Sequence, residues 1–93
     1  MTAAPGSARD LARHPDEETR YRAVGALDPD DPGDRGVLLE RLADASWRVR
    51  SAAAERVASG ADPGAALPGL LALLSGGPSV GAREAAAKAL ALA

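Results

Sequence analysis

Apolar positions along this chain recur every three or four residues, and alternation in steps of two is absent. That pattern predicts helices and no sheet. Two strong turn signals interrupt it, Asp28-Pro29-Asp30-Asp31-Pro32-Gly33 and Ser59-Gly60-Ala61-Asp62-Pro63-Gly64. Weaker ones lie at His14-Pro15-Asp16, Asp44-Ala45-Ser46 and Gly76-Gly77-Pro78-Ser79. Six helices remain between the breaks. The first covers about Ser7 to Arg13, with Ser7 and Asp10 resembling a capping box. The second covers about Asp16 to Leu27, and the third about Gly33 to Ala43. The fourth follows Ser46 as N-cap and runs to Ser59, with Gly60 as its stop. The fifth lies within Gly64 to Ser75, with Pro68 in its first turn, and the sixth follows Ser79 to the C-terminus.

Three of these segments can be laid over one another. Arg20, Arg50 and Arg83 are each followed by Ala three residues on and by Leu or Val seven residues on, and the arginines are 30 and 33 residues apart. The odd helices match too, since Leu38, Leu39 and Leu42 align with Leu70, Leu71 and Leu74 at a spacing of 32. A period of that size marks a solenoid of stacked helix pairs. On a helix Arg50, Ala53 and Val57 share one face, where the small alanine lets neighbouring helices approach closely. An arginine on that stripe must reach water or find a carboxylate, and Asp44 is the nearest candidate in sequence. In the fifth helix the expected inward stripe is Leu67, Leu70, Leu71 and Leu74, with Leu73 to its side.

The run from Leu38 to Ala54, with its leucine-rich first helix, Asp44, Trp47, Val49-Arg50 and following alanines, resembles a HEAT repeat. Leu70 to Leu90 resembles the same pattern, and His14 to Leu27 does so more weakly. The short period is similar to that of the HEAT-like repeats named after phycobilisome lyases. The resemblance implies an all-α fold, a short right-handed α-solenoid of three antiparallel helix pairs, at about residues 7–28, 32–60 and 63–93. Residues 1–6 are expected to be a disordered N-terminus. The polar ladder of the family is incomplete here, because the positions equivalent to Asp44 are His14 and Gly77. The resemblance also implies that the second helix of each pair lines a concave surface, the usual place of partner contact.

Composition narrows the function further. At 93 residues the chain allows one small domain, and its core is mostly Ala and Leu with one Tyr, one Trp and no Phe. The dominance of Ala, Gly, Pro, Arg and Asp reads as the mark of GC-rich coding. The formal net charge of −2 argues against nonspecific nucleic-acid binding, which needs a basic face. Charge crowds residues 9 to 56, whereas residues 57 to 82 carry only Asp62. There is no cysteine, and hence no disulfide or thiolate. The N-terminal residues show neither a basic nor an apolar signal region, and Leu70-Leu71-Ala72-Leu73-Leu74 is too short to span a bilayer. The expectation is a soluble cytoplasmic protein with no membrane contact.

Candidate chemistry is sparse. Asp28, Asp30, Asp31 and Asp34 fail as a calcium loop, because Pro32 and Leu39 stand where ligands are needed; they read as a solvated turn. His14 has no cysteine beside it and reads as a turn residue. Ser46 and Ser79 read as N-caps, with no histidine placed to activate them. Gly76 to Gly81 lacks the order of a phosphate loop. No catalytic residue, metal site or cofactor is expected. Trp47 is expected to pack at the turn into the fourth helix with partial exposure, although such a residue also serves as an interface anchor.

The sequence therefore points to a non-catalytic protein-interaction module and scaffold. Its candidate contact residues are Tyr21, Arg22, Trp47, Arg48 and Glu55 on the second-helix face and Leu73 on the fifth helix. The alternative is a self-associating structural subunit, a homo-oligomer held through the C-terminal helices, in which Leu73 and the flank near Ala89 and Leu92 become buried. A HEAT-like lyase or a nucleic-acid-binding fragment is the third reading, against which stand the short array and the lack of an acidic or aromatic pocket.

Overall fold

The computed structural model describes residues 7–93; the disorder expected of residues 1–6 lies outside the described residues. Among these the regular structure is all helical, without a strand: α1 (Ala8–Leu11), α2 (Glu17–Ala26), α3 (Pro32–Arg41), α4 (Trp47–Ala58), a 3-10 turn (Pro63–Ala66), α5 (Leu67–Gly76) and α6 (Val80–Leu92). No helix is long and apolar enough to cross a membrane.

Caps set most of the boundaries. The hydroxyls of Ser7, Ser46 and Ser79 accept from the backbone N–H groups of Asp10, Val49 and Ala82, and so satisfy orphan donors at three helix starts. The carboxylates of Asp16 and Asp31 do the same for Thr19 and Asp34. Asp31 thereby starts α3 at Pro32, where a missing N–H costs nothing, rather than at Gly33. The helix before Gly60 ends at Ala58 with Ser59 in a right-handed cap. Gly60 serves a close approach, since a Cβ there would stand 3.0 Å from Oδ1 of Asp30. That carboxylate accepts from the N–H of Ala61 at 2.9 Å and of Asp62 at 3.3 Å. The acidic turn is therefore stitched to the next turn, not merely solvated.

The core follows the helical stripes. Ala53 and Val57 are buried and Arg50 half-buried, as their shared face requires. α4 lies at the centre, with α2, α3 and α6 packed on it; α1 packs on α2 and α5 on α6. Leu27, Leu38, Leu42 and Leu70 are the largest fully buried side chains, each contributing about 1.5–3 kcal/mol. Small residues dominate α6, where Ala82, Ala85, Ala86 and Ala89 face inward.

α5 departs from expectation. Its inward side carries Ala66, Leu70 and the half-buried Leu73, whereas Leu67, Leu71 and Leu74 are 42%, 47% and 40% exposed. The leucines of this segment form two overlapping stripes of the same spacing. Ala66, buried at the end of the 3-10 turn, selects the stripe in phase with itself. Ala89 is already buried within the chain, while Leu92 is 53% exposed. A partner cannot newly bury Ala89, and only part of Leu73 remains for one. The counterparts of Leu71 and Leu74 fare differently: Leu42, just past α3, is fully buried, and Leu39 lies under Gly69 of α5, where a Cβ would come within 2.7 Å of its Cδ1.

The three aligned arginines do the same work. Arg20 donates through Nη1 to the carbonyls of His14 and Pro15, at 3.1 and 2.8 Å. Arg50 donates through Nη1 to those of Asp44 and Ala45, at 2.9 and 3.2 Å. Arg83 donates to that of Gly77 at 3.3 Å. Each guanidinium closes the turn that leads into its own helix. The carboxylate of Asp44 goes elsewhere than expected. It takes Nε and Nη2 of Arg20 at 3.0 and 3.1 Å, Nη1 of Arg41 at 2.9 Å and the N–H of Ser46 at 2.9 Å. Asp44 thus ties its own turn back to α2, and Arg50 receives only its carbonyl.

Candidate functional site

Tyr21, Arg22, Trp47, Arg48 and Glu55 come together along adjoining faces of α2 and α4, and Lys88 of α6 extends the row. Leu73 does not join them. It lies apart on α5, half-buried against the core.

Glu18, Arg22, Arg48, Glu55 and Lys88 on this face are already paired. Glu18 accepts from Nε of Arg22 at 2.9 Å and from Nη2 of Arg48. Those two bonds hold the Glu18 carboxyl below its ordinary range, with Arg48 the stronger cause. Ser46 donates to Glu17 at 2.8 Å. The Arg48 guanidinium lies 4.1 Å over the ring centre of Tyr21, a cation–π contact that fixes both side chains. Glu18 in turn raises the pKa of Arg48. Arg48 thus joins α2 to α4 and also lines the cleft beside Trp47. At the other end, Lys88 bonds to Glu55 at 3.1 Å and to the hydroxyl of Ser51.

Trp47 is 71% exposed. It is the first residue of α4, and most of its surface stays open to solvent. The expected packing role is therefore overturned. The indole forms a shared wall between two shallow clefts. One of about 200 Å³ reaches Tyr21, Arg48, Ser51 and Glu55; the other, of about 160 Å³, reaches Arg50, Gly81, Glu84 and Lys88. A third depression of about 360 Å³ lies between Tyr21, Arg22, Gly25, Ala52 and Arg56. Its floor is made by small residues, so a ligand could come near the helix backbones there.

Sequence reasoning missed Arg50 and Arg56 as lining residues. Arg50 lies on the packing stripe and looks purely structural from its period. The signal was nonetheless present in Gly77, which stands where a carboxylate would otherwise be. Arg56 donates to the Leu27 carbonyl at 2.8 Å across the boundary between α4 and the turn after α2. Among the described residues no three acidic or histidine side chains form a cluster that could hold a metal ion. No family model, curated protein or solved structure matches this chain.

Proposed function

We propose that the chain is a short right-handed α-solenoid of three antiparallel, HEAT-like helix pairs, and that it is a non-catalytic module that binds another protein on its second-helix face. Support for the architecture comes from the packing. α4 packs directly on both α2 and α6, while α1, α3 and α5 approach one another less. A row held closer on one side curves toward that side, which would make the α2–α4–α6 face concave. The cytoplasm is the proposed compartment.

The observation that carries the function is Trp47. A large aromatic side chain at 71% exposure contributes almost nothing to the core. It stands between two clefts, beside a charge network that is ordered before any ligand arrives. Pre-ordered side chains lose little entropy on binding, and exposed tryptophan is a frequent hot-spot residue. Affinity capture with immobilised protein, followed by identification of the retained polypeptide, tests this. Trp47→Ala should leave the melting temperature nearly unchanged and weaken capture about thirtyfold, as loss of a hot-spot residue worth about 2 kcal/mol would. Retention at full strength by the variant would remove this face from consideration.

A second reading, self-association, is favoured by a separate observation. Leu67, Leu71 and Leu74 form an exposed apolar stripe on α5, in the half of the chain that carries almost no charge. Such a stripe suits contact with a like surface.

A further inference from the structure

Arg20 and Arg50 occupy equivalent places, but only one of them is complete. Arg20 spends Nη1 on the carbonyls of its own turn and offers Nε and Nη2 to both oxygens of Asp44. Arg50 spends Nη1 in the same way. Its Nε and Nη2 donate to no acceptor among the described residues, and neither is fully shielded from solvent. The carboxylate that would meet them, by analogy with Asp44, is replaced by Gly77. The guanidinium lies instead against Gly81, where a Cβ would come within 2.8 Å of its Cζ and Nε. Glycine at this position leaves the paired N–H edge room at the wall of the cleft of about 160 Å³ that Trp47 and Lys88 also line.

We propose that this cleft is a carboxylate-binding subsite. An acidic group of the protein partner completes the unfilled rung by taking Nε and Nη2 of Arg50 as Asp44 takes those of Arg20. The inference rests on the reading of this face as polypeptide-binding and deepens it by naming what the partner presents. The planar fork of arginine matches a carboxylate in a bidentate arrangement. Lys88, held by Glu55 and Ser51, lines the cleft with its charge met by Glu55. Glu84 is the one opposing charge that lines the cleft. Glu84 repels an anion and Arg50 attracts it, each in proportion to the ligand's charge, so charge alone does not choose between a carboxylate and a phosphate; the precedent of Asp44 on Arg20 is what points to a carboxylate. Trp47 offers its indole to the residue beside the acidic group.

Arginine Nε–H resonances of the 15N-labelled chain give the test. The probes are acetyl-aspartyl-methylamide for an acidic side chain, acetyl-alanine for a chain terminus, and inorganic phosphate. At least one carboxylate should move the Arg50 resonance and the Trp47 indole N–H saturably, leave Arg20 still and shift Arg83 weakly and without saturation. The stronger of the two carboxylates identifies its source. Arg50→Lys should abolish the saturable shift at Trp47. Glu84→Gln, at an exposed site that leaves the fold intact, should tighten it about threefold. Equal, unsaturating shifts of Arg50 and Arg83 would overturn the subsite, as would a silent Arg50 in both wild type and Glu84→Gln, or tighter binding of phosphate. If partner capture still depends on Trp47 while Arg50 is silent, the binding face stands and this subsite falls.

Discussion

Asp44 bears more of the structure than its place in a three-residue turn suggests. It is the one buried charged residue among the described residues, and it accepts from Arg20, Arg41 and the Ser46 N–H. Burial by itself would push its carboxyl up. The bonds from Arg20 and Ser46, with the nearby charges of Arg20 and Arg41, outweigh that and hold it below the ordinary aspartate range. Removal of one partner from a buried pair leaves the other desolvated. Asp44→Ala should therefore cost about 3 kcal/mol, which for a domain of this size lowers the melting temperature by about 12–24 °C. The pH dependence has a definite sign. The unfolded aspartate binds a proton at higher pH than the folded one, so the contribution is complete at neutral pH. It declines as pH falls through the ordinary carboxylate range and is lost below the folded value. Asp16, Glu18 and Glu40 shift the same way, but their exposure to solvent weakens their effect. Thermal melts at pH 7 and pH 3 should thus differ less for Asp44→Asn than for the wild type. An equal acid loss in both would place the titrating group elsewhere.

At the scale of the elements, α4 carries the test of register. Ala53 is fully buried where α4 meets its neighbours. Ala53→Arg would force a long charged group between helices, at a cost of several kcal/mol, about the whole stability of such a domain. Its calorimetric melt should lose cooperativity; an unchanged melt would mean that the packing face is misplaced. This face was legible in the sequence, because the spacing of Arg50, Ala53 and Val57 admits one helical phase. The caps at Ser7, Ser46 and Ser79 were legible for a similar reason: a short hydroxyl side chain ahead of an apolar run has one good local use. The phase of α5 was not. Leucines at 67, 70, 71, 73 and 74 satisfy two helical faces equally well, and the choice between them lies in the docking of Ala66. Nor was the partner of Asp44 legible, since sequence distance favours Arg50 while the stacking of α4 on α2 brings Arg20. Of the candidate site, the charged and aromatic residues were readable from helical phase. The exposure of Trp47 and the open edge of Arg50 depend on what stands opposite them, which a single helix cannot reveal.

Across the whole molecule the two ends differ in chemistry. Near the N-terminal end α1 is fastened by charge, Arg9 to Asp31 and Asp34 and Arg13 to Glu40. At the other end α5 turns Leu67, Leu71 and Leu74 outward, with no charged side chain between Asp62 and Arg83. Leu71 and Leu74 align with Leu39 and Leu42, which the chain covers, so the exposed stripe has the character of a surface that packs on helices. A charge-rich face is a poor match for it, because its ions would lose water without gaining partners. A like apolar face carries no such cost, which favours a two-fold contact between copies. Sedimentation equilibrium over a range of concentrations should show a reversible dimer, strengthened by sulfate as apolar contacts are. Leu71→Glu with Leu74→Glu should give a monomer at every concentration, and at a concentration low enough for wild type to be monomeric the two should melt at nearly the same temperature, since both side chains are already exposed in the monomer. A wild type that remains monomeric throughout, in sulfate as well, would leave the stripe without a role in self-association. A variant that dimerises undiminished would move the contact to another face, and Trp47 would then be the first residue to examine.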